Sequence, residues 1–84
     1  MSNETYGHEN VAKAFDRFAE AHPAHATTIC AMMWMGHDRV HHFKHRHSRK
    51  NVTFDESTGE VTGELETGET STDVDAVMRE AATI

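Results

Sequence analysis

Eighty-four residues allow one domain with a small core, and the formal charge of -6 argues against a general nucleic-acid binder. Leu, Ile, Val and Phe supply 13 of the 84 residues, below the ~20% under which a charged chain tends towards disorder, so added stability from a partner or a second copy is expected. The single cysteine, Cys30, excludes an intramolecular disulfide, which predicts a reducing, cytoplasmic setting, and the longest apolar run, 29–35, is too short to span a membrane.

Residues 1–7 are polar and are expected to be flexible. Val11, Ala14, Phe15, Phe18 and Ala21 then recur at helical spacing, predicting an amphipathic helix that Pro23 ends. Pro23 also suits the first position of a second helix. The run PAHATTICAMMWMG reads as that helix, stopped by Gly36, because Ala and Met outnumber the β-branched residues. A buried strand from Thr27 to Met35 is the alternative, since short apolar runs are ambiguous by period. A long helix running through Gly36 is another, with Ile29, Met32, Met33, Gly36, Val40 and Phe43 on one stripe.

Downstream, NVTFDESTGEV (51–61) is a hairpin signal, and a hairpin alone is marginal in water. RVHHFKHRH (39–47) is the nearest third strand, joined through the polar turn SRKN, which predicts a three-stranded antiparallel meander. Residues 63–72, GELETGETST, read as an exposed strand end and an acidic loop. A final helix starts at Thr72 with Asp75 three residues on, and buries Val74, Val77, Met78 and Ala81. The expected fold is therefore α+β: one small domain over 1–84, N-terminal helices, a short antiparallel meander or hairpin, and a C-terminal helix.

Charge is segregated along the chain. Residues 1–36 carry -2, residues 37–50 carry +4 through five bases and one acid, and residues 55–84 carry -8. The plainest explanation is mutual neutralisation of the basic segment and the acidic hairpin. Three functional readings stand beside it. Arg39, His42, Lys44, His45, Arg46, Arg49 and Lys50 form a candidate anion-binding patch for nucleic acid, with Phe43 as a stacking face. Glu56, Glu60, Glu64, Glu66, Glu69 and Asp73 (with Asp75) form a candidate acidic face for a protein partner. In size and acidity the chain resembles the small inhibitors with which phages and mobile elements block nucleic-acid enzymes, a likeness of composition alone. Third, His37, His41 and His45 lie at i, i+4 and i+8 in a helix, while His41, His45 and His47 share a face in a strand, so either set is a candidate for Zn, Cu or Ni. No Cys-x-x-Cys or His-Glu-x-x-His spacing accompanies them, and no metal or other cofactor is expected.

Catalysis has the least support. Cys30 lies in the most apolar run, where a cysteine is usually an inert core residue, and no glycine-rich phosphate loop is present. The expectation is a non-enzymatic interaction protein that binds a macromolecule by charge complementarity, most simply another protein, with nucleic acid second, and that self-associates or gains stability from its partner. Crowding of the histidines by Arg and Lys predicts lowered pKa values and stability lost on mild acidification.

Overall fold

A computed structural model describes residues 8–83; the expectation for residues 1–7 lies outside them. The helix α1 (His8–Ala21) leads through a single 3-10 turn, Pro23–His25, into the five-residue helix α2 (Ala26–Cys30). Five strands follow, β1 (Met32–His37), β2 (His41–His45), β3 (Asn51–Phe54), β4 (Val61–Glu64) and β5 (Thr70–Ser71), and α3 (Val74–Ala82) closes the chain. Every strand pairs antiparallel with its sequence neighbour, giving the order β1-β2-β3-β4-β5. The α+β class and both flanking helices are as the sequence predicts.

The sheet is wider than the expected three strands, and the added β1 corrects the reading of the apolar run. Only 26–30 is α-helical; Met32 to His37 is strand, so neither the helix ending at Gly36 nor the long helix through it forms. Met32, Met33 and Trp34 pair with His45, Lys44 and Phe43, and a bulge between Trp34 and Gly36 precedes the pairing of Gly36 with His42. Cross-strand partners supply backbone bonds and packing that outweigh the modest helix preference of Ala and Met. Gly36, at φ +155°, takes up the irregularity where a side chain would be strained.

One face of the sheet packs against helices. His41, Phe43 and His45 of β2, Val52 and Phe54 of β3, and Val61 and Gly63 of β4 are buried, while alternate residues turn away. From α1, Phe18 stacks on Phe54 at 4.6 Å and lies 5.1 Å from Phe43, and Phe15 meets Phe43 edge-on at 5.0 Å. Ala21, assigned to this buried face from its spacing, is exposed because it is the helix's last residue. From α3, Val77, Met78 and Ala81 are buried and Val74 packs against the cluster, as their spacing predicts. Its N-cap is Asp73, whose carboxylate accepts from Asp75 N and Ala76 N, rather than Thr72. Within the acidic segment 63–72, Gly63 and Glu64 close β4, residues 66–70 are exposed, and Thr70–Ser71 form β5. Among the described residues no helix is long and apolar enough to cross a membrane.

Candidate functional site

The histidine-rich run does not form one patch, because a strand with turns at both ends spreads it over two faces and two ends of the sheet. Arg39 sits in the turn before β2, and Arg46, His47, Arg49 and Lys50 occupy the turn after it. His42 and Lys44 project from the face opposite the core. Phe43 is 1% exposed, so the expected stacking face is a core ring, and His45 is buried beside it. The helical spacing proposed for a metal site is absent. His41 and His45 lie four strand positions apart, about 13 Å, too far to share an ion. Among the described residues no group of three metal-ligating side chains converges. His37 and His41 do approach, with ring centroids 4.3 Å apart, and His45 and His47 lie at 5.8 Å.

A connected polar arrangement surrounds His41. Its Nδ1 accepts from the Trp34 indole Nε1–H at 3.2 Å, and its Nε2 lies 2.8 Å from Oε1 of Glu56. An indole N–H only donates, so Nδ1 carries no proton and the ring is the neutral Nε2–H tautomer donating to the carboxylate. Register explains the contacts: His41 faces Phe54 across β2 and β3, and Glu56 follows two residues later in the turn. Glu56 Oε2 also takes Arg17 of α1 at 3.1 Å. The His41 hydrogen bond, reinforced by the Arg17 charge and opposed by partial burial, holds the Glu56 carboxyl below its ordinary range. Sequence reading found His41 and Glu56 but assigned them to different sites, and it missed Arg17 and Trp34, which lie far away along the chain or in an apolar run.

At the other end of β2, His45 is the counterpart. Its Nδ1 faces the backbone N–H groups of His47 and Ser48 at 3.2 and 3.3 Å, so it too is an acceptor and the ring is neutral. Its pKa is lowered, first by burial and then by the charge of His47. The expected direction is right for this residue, but its leading cause is desolvation rather than crowding by Arg and Lys.

The acidic candidates are also dispersed. Glu60 precedes β4 and Glu64 ends it, which places them at opposite ends of the sheet, and Glu66 and Glu69 lie in the turn beyond Glu64. All four are exposed, and Glu64 accepts from Asn51 Nδ2 at 3.3 Å. Asp73 is occupied as a helix cap, Glu56 by His41 and Arg17, and Asp75 by His25 Nε2 at 2.8 Å. Between the two charge blocks His41 meets Glu56 as a neutral hydrogen-bond donor, and direct neutralisation includes a loose pair, Lys50 to Glu80 at 3.8 Å. Asp38 pairs inside its own segment with His42, and its carboxyl is held low chiefly by the Val40 amide and then by His42. Cys30, expected in the core, is exposed at the end of α2.

The meander still converts sequence segregation into spatial segregation. Strands succeed one another across the sheet in chain order, so the bases flank β1 and β2 while most of the acids flank β3, β4 and β5. The result is a sheet polarised across its width. In comparisons with known proteins, no family model, no curated protein and no solved structure matches the chain.

Proposed function

We propose that the chain is a small non-catalytic interaction protein that binds another protein by charge complementarity, using the acidic half of its sheet. The observation that supports the reading is the placing of charge. Glu60, Glu64, Glu66 and Glu69 stand exposed around β4, while the groups best suited to acid–base chemistry, His41, His45 and Glu56, are engaged in internal hydrogen bonds. Exposed carboxylates at both ends of β4 complement a basic surface, and a groove built for phosphates is one such surface, which makes a nucleic-acid enzyme a natural target for inhibition.

Nucleic acid is the second reading, and Lys44 on the open face beside the Arg46 and Arg49 turn favours it. It loses Phe43 and His45, both buried, from its contact set. The test is affinity capture from the native host with wild-type protein, with a Glu60→Lys, Glu64→Lys, Glu66→Lys variant, and with a variant in which Arg39, Lys44, Arg46 and Arg49 are Gln. A protein captured by the wild type and the Gln variant but lost on charge reversal is the expected result. Salt-sensitive binding of labelled single-stranded DNA that only the Gln variant loses would replace this reading with the second.

A further inference from the structure

We infer that His41 is a proton-operated latch for the edge strand β1: taking up a proton and holding Trp34 are mutually exclusive states of the same ring. His41 donates from Nε2 to Glu56 Oε1 at 2.8 Å, so the only nitrogen open to a proton is Nδ1, which already receives the Trp34 Nε1–H at 3.2 Å. Protonated imidazole is a donor at both nitrogens. Two N–H groups then point at each other across that contact, and the indole must move. The bond to Glu56 survives and becomes charge-assisted, so the ring stays on the Glu56 side while its bond to Trp34 is lost. Trp34 belongs to β1, the strand at one edge of the sheet, next to the bulge at Met35 and Gly36. Its movement therefore acts on a strand that, among the described residues, pairs with β2 alone.

The charged surroundings are built from several elements. Glu56, in the turn between β3 and β4, faces Nε2. Arg17 of α1 draws on the other oxygen of that carboxylate, and His37 of β1 lies 4.3 Å from the His41 ring. The ring itself is 1% exposed.

Trp34 is the single tryptophan of the chain, so its fluorescence reports the event directly. Emission is recorded from pH 8 to pH 5 in the wild type, in His41→Asn and in His37→Gln. Asparagine places its Oδ1 where Nδ1 lies, keeping the acceptor for Trp34 without a titrating ring. The expected result is a reversible one-proton change in emission that is present in the wild type and in His37→Gln and lost in His41→Asn. A transition that persists in His41→Asn, or that disappears with His37→Gln alone, overturns the latch. Nitrogen NMR of the wild-type His41 ring gives a second readout that needs no folded variant. Nδ1 must be the bare nitrogen at pH 8 and become protonated across the fluorescence transition; a protonated Nδ1 at pH 8 overturns the inference.

Discussion

Gly63 shows how closely single atoms set this fold. A Cβ built there would lie 2.5 Å from Val77 Cγ1, so β4 and α3 approach at a distance that only glycine permits. Gly63→Ala is expected to destabilise by about 1–3 kcal/mol in urea denaturation. In a double-mutant cycle, Val77→Ala should cost less in the Gly63→Ala background than in the wild type, because the smaller side chain makes room for the methyl. His45 sets a second residue-scale expectation. Its folded pKa is lowered by burial, so the unfolded chain binds the proton more tightly. Its contribution to stability is complete above the unfolded value of about 6.5 and is lost as pH falls through that value towards the folded one. Thermal melts at pH 7.5, 6.5 and 5.5 should show a smaller loss in His45→Asn, which keeps an acceptor for the turn amides without a titrating ring.

Among the elements, α3 depends on its cap. Asp73→Ala removes the acceptor for two backbone N–H groups and is expected to cost about 1 kcal/mol, while Thr72→Ala should change stability by only a few tenths. Denaturant midpoints of the two variants decide which residue is the cap. The amphipathic faces of α1 and α3 were legible in sequence because helical spacing of large apolar residues directly encodes a buried stripe. The hairpin of β3 and β4 was legible from alternation around a glycine-bearing loop. β1 was not, since Met-Met-Trp-Met carries no alternation and its conformation is decided by β2, whose partners lie up to 13 residues away. The site suffered in the same way. Counting residue types found His41, His45 and Glu56, but whether an imidazole points inward depends on the strand register, and the register follows from Phe43 being the core residue between the two rings.

At the level of the whole molecule, a core this small concentrates stability in few side chains. Phe18 is fully buried against Phe43 and Phe54, and Phe18→Ala is expected to cost about 3–5 kcal/mol, most of what a domain of this length has. Circular dichroism at 25 °C should find that variant largely unfolded at micromolar concentration. The strand order adds a kinetic consequence. Each strand pairs with the next one along the chain, so assembling the sheet closes four short turns and requires no long crossover between strands. Stopped-flow refolding after a jump from acid to pH 7.5 should therefore finish within milliseconds. If so, disruption of the fold by protons would be a brief excursion, undone nearly as fast as solution pH recovers.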